Sequence, residues 1–134
     1  FATFIIKQFS VERLSSLLIN QPESLFVAEY KNNLVGVVEI DYDKICPSNN
    51  LCIPELNKLY ILEWFCGKGI GFQLLKMAEQ MVKSKHYESI WLWVWDQNQR
   101  AIDFYLRQDY QIIGSAPFPM EQNTYTNFVM LKTL

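Results

Sequence analysis

Gly67, Gly69 and Gly71 stand at alternate positions between an apolar run, Leu59-Tyr60-Ile61-Leu62, and a helically spaced stretch from Ile70 onward. In that stretch Leu74, Leu75, Ala78, Met81 and Val82 follow Ile70 on one face. Three of the five glycines in the chain therefore fall at one strand-to-helix junction. Glycine there admits positive φ and lets a ligand approach a backbone without a Cβ. The first amides of a helix lack internal partners and sit at the positive end of its dipole, so the pattern suits binding of phosphate or pyrophosphate. A tight turn that needs small residues for packing accounts for the same glycines. Two familiar phosphate loops do not fit. The nucleotide P-loop requires Lys-Ser/Thr after its last glycine, whereas Phe72-Gln73 follows Gly71. The dinucleotide fingerprint requires Gly-x-Gly-x-x-Gly within repeated βαβ units, and the chain has neither.

Composition bounds the remaining chemistry. Cys46, Cys52 and Cys66 are odd in number and lack CxxC pairing, and His86 is the single histidine, so no metal-ligand motif can be assembled. Three such thiols suit a reducing cytoplasm. A net charge of −2 offers no concentrated basic face for nucleic acid. No apolar run approaches the ~18–20 residues of a membrane-spanning helix. With 134 residues, half of them hydrophobic and 15% aromatic, the expected organisation is one domain over residues 1–134. The chain opens on Phe1 rather than methionine, which leaves a preceding segment open, and nothing present resembles a targeting signal.

Periodicity and punctuation supply the elements that must position the glycine junction. Residues 1–6 are apolar and short, and Ser10 is placed to cap a helix carrying Val11, Leu14, Leu17 and Leu18, which Asn20-Gln21-Pro22 ends. Residues 25–30 and 34–42 read as strands around a Lys31-Asn32-Asn33 turn, with Gly36 marking a bulge or a close backbone approach. Residues 43–54, with Pro47-Ser48-Asn49-Asn50, form the longest loop, either touching substrate or serving as a mobile connection. A central strand spans 54–62 and a helix 70–85. Strand 88–95 is apolar on both sides, with Ile90, Leu92 and Val94 facing one way and Trp91, Trp93 and Trp95 the other, so both faces should be covered. Strand, helix and strand imply a parallel pair with a right-handed crossover. The tryptophan stripe suits core packing better than the wall of a ligand cleft. A second helix starts at 96–98 with Ala101, Ile102, Tyr105 and Leu106 on one face. Strands 110–114 and 124–131, separated by Pro117 and Pro119, close the chain.

From Glu55 onward the sequence resembles the GNAT acyl-CoA N-acetyltransferases. Leu59-Tyr60-Ile61, Gly67-Lys68-Gly69-Ile70-Gly71, Asn98-x-x-Ala101-Ile102-x-Phe104-Tyr105 and Met130-Leu131-Lys132-x-Leu134 occur in the family's order and spacing. Trp91-Leu92-Trp93-Val94-Trp95 and the ending are most similar to the polyamine (spermidine-type) branch. The resemblance implies an α/β fold whose mixed central sheet is splayed between strands 54–62 and 88–95, with helices on both faces and acetyl-CoA in the gap. It also implies that the family's N-terminal strand and helix are missing before Phe1. The pyrophosphate would rest on the amides of Gly67, Lys68, Gly69, Ile70, Gly71 and Phe72, beside Cys66. Backbone groups of Leu59, Tyr60 and Ile61 would pair with the pantetheine, and the Ile61 amide would polarise the thioester carbonyl. Asn98 would hold the cofactor arm, cap the second helix, or do both.

The implied reaction is acetyl transfer from acetyl-CoA to a primary amine by direct attack in a ternary complex. A small amine or polyamine is the favoured acceptor, with a peptide or protein amine as the alternative. Tyr105 matches the family's tyrosine acid for the departing thiolate, against a plain role as a buried phenol. Glu55 matches the glutamate base of the histone-acetylating branch, against a plain role as an exposed strand acid. Glu63 and Asp96 are weaker candidates for attracting a cation. The implied partner is a small-molecule amine, without nucleic acid or membrane, and a homodimer is compatible with the resemblance.

Three departures stand out. Cys66 occupies a position where the family usually has Arg or Gln, which removes one contact near the loop and offers a thiol for a mixed disulfide with CoA; an inert substitution is the simpler reading. Asp109 replaces the usual glycine after the tyrosine helix. The missing start removes part of the amine-binding wall. Cys66 and the missing start favour a rival reading as a non-enzymatic CoA-binding module, whereas the intact Asn98…Tyr105 segment speaks against it. An interaction domain built on exposed aromatics would bind no CoA at all.

Overall fold

The computed structural model describes residues 5–8, 24–120 and 123–134. β2 (Leu25–Tyr30) and β3 (Asn33–Asp41) form the expected hairpin. Its turn residues Lys31 and Asn32 take φ of 50° and 66°, as a two-residue turn matched to strand twist requires. β1 (Ile5–Gln8) pairs antiparallel with β2 at the sheet edge. The β-branched Ile5-Ile6 pair thus extends the sheet beyond the hairpin. The helix expected after Ser10 lies outside the described residues.

The remaining elements follow in the expected order: β4 (Glu55–Ile61), α1 (Ile70–Ser84), β5 (Ser89–Trp95), α2 (Gln99–Arg107), β6 (Gln111–Met120) and β7 (Asn123–Thr133). The seven described strands lie in the order β1-β2-β3-β4-β5-β7-β6. Among the described residues only β4 and β5 run parallel, so the sheet is mixed.

The main core forms where α1 lays Ile70, Leu74, Leu75, Ala78 and Val82 against the sheet. Ile90, Leu92 and Val94 of β5 and Ile102 of α2 join the same cluster, so both described helices share one face. Helices are expected on both faces; among the described residues the opposite face carries no α-helix. On that face Trp91 and Val129 pack against Cys46 and Ile53 of the 43–54 loop. The Trp91 indole donates to the Ile53 carbonyl at 2.8 Å, so this member of the tryptophan stripe is core. Trp93 packs against the same cluster, whereas Trp95 is 48% exposed. The loop is held to the sheet: Ile45 bridges Cys52, Cys46 is fully buried, and Ser48 abuts Gly114 of β6.

Two further expectations are corrected. Pro117 and Pro119 lie inside β6, paired with Thr126 and Thr124, rather than between two short strands. β6 is an edge strand, where a missing N–H can face away from the ladder. Leu106 is 46% exposed, and Ile102 is the buried residue of α2.

Gly36 meets both alternatives set for it. Ala28 pairs with Gly36 and Glu29 with Leu34, so Val35 is the extra residue of a bulge. A Cβ at Gly36 would lie 2.9 Å from Ile61 Cδ1 and 3.0 Å from Leu74 Cδ1, which seats α1 directly on β3. Gly36→Ala is therefore expected to cost about 1–3 kcal/mol through overpacking. Thermal unfolding should register it as a midpoint at least about 3 °C lower; an unchanged midpoint would mean that α1 shifts freely on the sheet.

Candidate functional site

β4 and β5 pair at a single position, Glu55 with Trp91, supported by Trp91 N–H donating to the Pro54 carbonyl at 3.1 Å. Beyond that row β4 continues to pair with β3 but not with β5. The sheet is thus forked, and the β5-facing backbone of β4 is left as an edge inside it. A second irregularity reshapes the same strand. Glu39 pairs with Lys58 and Ile40 with Leu56, so Asn57 is bulged, and its amide donates to Glu39 Oε1 at 2.8 Å. The bulge turns Leu59 and Ile61, like Leu56, toward the α1 core.

A groove of about 460 Å³ opens from this fork, within the usual range for small-molecule sites. Leu59, Tyr60 and Ile61 form its β4 wall, and Asn98, Ala101 and Tyr105 form its α2 wall. Cys66, Gly67, Gly69, Gly71 and Phe72 close the end at α1. Gly69 caps α1 at φ 81°, and Gln73 N–H is the donor to its carbonyl. The amides of Ile70, Gly71 and Phe72 therefore have no intrahelical acceptor. No side chain caps this end and no acid lies in its first turn, so nothing in the helix competes with an external anion. An added Cβ at Gly67 or Gly69 would meet no atom within 4 Å, which leaves the approach open.

Two expected ligands contribute less than their side chains suggested. Ile70 is buried in the core, which leaves only its amide for the loop. Lys68 is exposed and does not line the groove. Asn98 caps α2, its side chain accepting from Ala101 N–H at 3.2 Å while it faces the groove. Cys66 Sγ lies 3.7 Å from the Leu62 carbonyl and 3.8 Å from that of Ile61. Glu63 and Asp96 do not line the groove.

Tyr105 packs edge-on to Phe104 and Tyr110, with ring centroids 5.3 and 5.5 Å away. Among the described residues none hydrogen-bonds its hydroxyl. Burial raises the phenol from the ordinary 10 to about 12, so it remains protonated at neutral pH. Glu55 is not the exposed strand acid of the plain reading: it is only 8% exposed, covered at the closed end of the fork. It does not line the groove, and its pairing with Trp91 places it on the sheet face opposite α1. Burial raises its carboxyl above the ordinary 4.5; Lys44 opposes this, and Asp41 and Glu39 add to it.

The sign of that shift has a measurable consequence. An acid whose folded value is raised takes up protons on folding, so its contribution to stability falls as pH climbs above about 4.5. Glu55→Gln is expected to leave the unfolding midpoint near native at about pH 4 and to raise it at about pH 8. A gain of equal size at both pH values would separate the effect from ionisation.

Five groove residues lie outside the site expected from the sequence: Phe65, Arg100, Ala101, Phe104 and Arg107. Arg100, Phe104 and Arg107 follow i, i+4, i+7 spacing, a readable helix face that the apolar pattern of α2 overshadowed. The two guanidinium groups add positive charge beside the groove that the amides of α1 close.

Over residues 3–110 the chain matches the model of the acetyltransferase (GNAT) family. It is 23% identical over 136 residues to an uncharacterized N-acetyltransferase of Lactobacillus delbrueckii subsp. lactis, across 99% of this chain and 78% of the relative. Its fold is similar to a chain of the NatC complex bound to Gag peptide and CoA, with a TM-score of 0.79, 16% identity and 98% of both chains covered. It is also similar to nourseothricin acetyltransferase, with a TM-score of 0.70 and 19% identity over 81% of this chain and 64% of that one. With the family matched over most of its length and its sheet parted at the expected pair of strands, the chain belongs to the GNAT family of N-acetyltransferases.

Proposed function

We propose that the groove between β4 and α2 binds acetyl-CoA and that the chain transfers its acetyl group to a small primary amine, with a polyamine as first candidate. One observation carries the reading: the groove runs from open helix amides at α1 to a protonated Tyr105 hydroxyl that no described residue occupies. The thioester supplies an activated acetyl group. The Ile70, Gly71 and Phe72 amides hold the pyrophosphate, with Gly67 and Gly69 clearing its approach and Arg100 and Arg107 adding charge. The open edge of β4 at Leu59, Tyr60 and Ile61 pairs with the pantetheine, and the Ile61 amide polarises the carbonyl.

Two proton movements complete the chemistry. The amine, with an ordinary pKa of ~10.4, must lose a proton before it attacks. Glu55 accepts it through water, because its carboxyl lies at the fork rather than on the groove wall. Tyr105 donates a hydrogen bond that strengthens as the sulfur gains charge. Outright transfer from a phenol at about 12 to a thiolate of ordinary value ~8.5 is uphill, so Tyr105 keeps its proton, and the second proton of the attacking nitrogen, released as the amide forms, protonates the departing sulfur. Asp41 pairs with Glu55 in the row at the fork, and these two carboxylates support a cationic acceptor. The likeness to NatC keeps a peptide amine as the second reading.

Release of CoA thiol from acetyl-CoA tests both, with spermidine, simple monoamines and a lysine peptide as acceptors. Saturable turnover with the small amines is expected. Turnover with peptide alone would transfer the assignment to the second reading, and silence with every acceptor would overturn the proposed chemistry.

A further inference from the structure

We propose that Tyr110, anchored by the Glu79 carboxylate, positions Tyr105 for the transfer; the inference rests on the reading of Tyr105 as donor to the leaving sulfur. Glu79 is a buried carboxylate on α1 that does not line the groove. It accepts from the Tyr110 hydroxyl at 2.8 Å, from Lys132 Nζ of β7 at 3.0 Å and from Lys76 Nζ at 3.2 Å. One carboxylate thereby ties α1, β7 and the residue after α2 together. Replacing such a buried ionic cluster by apolar packing is often neutral or stabilising, so bulk stability is a weak reason for it. What a hydrogen bond adds is direction. It fixes the rotation of the Tyr110 ring, whose face Lys132 also covers with its ammonium 5.7 Å from the centroid.

Tyr110 passes this order on to Tyr105 by two contacts. Its N–H donates to the Tyr105 carbonyl at 3.1 Å, just beyond the end of α2, where Asp109 turns the chain at φ 71°. Its ring meets that of Tyr105 at 5.5 Å and 64°. Tyr105 lacks a described hydrogen bond at its own hydroxyl, so its direction in the groove is set by ring contacts with Phe104 and Tyr110. A displacement of about 1 Å in such a group can cost on the order of 10²-fold in rate.

Tyr110→Phe keeps the ring and removes only the bond to Glu79. It is expected to lower kcat about tenfold with KM for acetyl-CoA within about twofold of native, in the range of coupling between contacting residues. In a Tyr105→Phe background the same change should alter kcat by less than about twofold, because the group it acts through is gone. Glu79→Gln retains an acceptor for the Tyr110 hydroxyl and should hold kcat within about threefold of native, whereas Glu79→Ala should fall as Tyr110→Phe does. Assays run well below each variant's unfolding midpoint keep lost stability out of the comparison. Native kcat in Tyr110→Phe, losses that multiply with those of Tyr105→Phe, or equal damage from Gln and Ala at position 79 would each overturn the inference. A Tyr105→Phe enzyme with native kcat would instead remove the catalytic reading on which it rests.

Discussion

Tyr105→Phe is expected to lower kcat on the order of 10²-fold while KM for acetyl-CoA stays within about twofold of native, the pattern of an interaction made only as the sulfur leaves. The size follows from what the hydroxyl does and from what it does not do. It faces the groove and has no described hydrogen-bond partner, so its removal orphans no described group. The ring contacts to Phe104 and Tyr110 survive in phenylalanine. Stability should therefore stay within about 0.5 kcal/mol of native, and a loss of turnover can be read as chemistry. Steady-state release of CoA thiol, with thermal unfolding of the same preparation, checks both halves. Native kcat would exclude Tyr105 as the hydrogen-bond donor to the leaving sulfur, and a raised KM with native kcat would make it a binding residue.

Gly71→Leu is expected to raise KM for acetyl-CoA at least about 30-fold without lowering the unfolding midpoint. Gly71 sits in the first turn of α1 with no positive φ, so a larger residue does not strain the backbone. A Cβ there would lie 3.9 Å from both Ile61 Cγ1 and Phe104 Cζ, ordinary contact between the two groove walls. Anything longer projects into the space between β4 and α2. Replacing glycine inside a helix gains roughly 0.5–1 kcal/mol, so the fold should tolerate or favour the change. Gly71→Ala separates the contributions, because it takes the helical gain with a Cβ that fits and should change KM little. Titration of CoA followed by intrinsic fluorescence or calorimetry provides the direct reading. Native affinity in the leucine variant would place the cofactor elsewhere.

Much of the frame was legible because its signals are local. Asn32 and its neighbours tolerate positive φ, and the β2–β3 turn forms there. The apolar stripe from Ile70 to Val82 becomes the buried face of α1, and the alternation along β5 divides Ile90, Leu92 and Val94 from Trp91 and Trp93 as expected. The Asn98 cap and the glycine-lined start of α1 were readable for the same reason: each depends on residues within one turn of itself. Asp109, standing where glycine is usual, takes φ 71°, a conformation aspartate adopts more readily than most residues.

Tertiary structure decided the rest, for one physical reason. Periodicity tells which face of a strand is buried, but not which strand lies beside it or where the pairing stops. Local sequence alone does not reveal that Glu55 is the last row at which β4 meets β5, or that Asn57 bulges to return Leu59 and Ile61 to the α1 side. The burial of Glu55 follows from that row, since an acid near the start of a strand reads as exposed until a neighbouring strand and the 43–54 loop close over the same face. Pro117 and Pro119 read as chain breakers until the topology places them on an edge. Glu79 and Tyr110 lie 31 positions apart, so no local pattern joins them. By itself the sequence determined an α/β chain with three glycines at one strand-to-helix junction. The fork, the groove it opens and the buried carboxylate behind Tyr105 come from long-range register, which is settled only when the whole sheet is assembled.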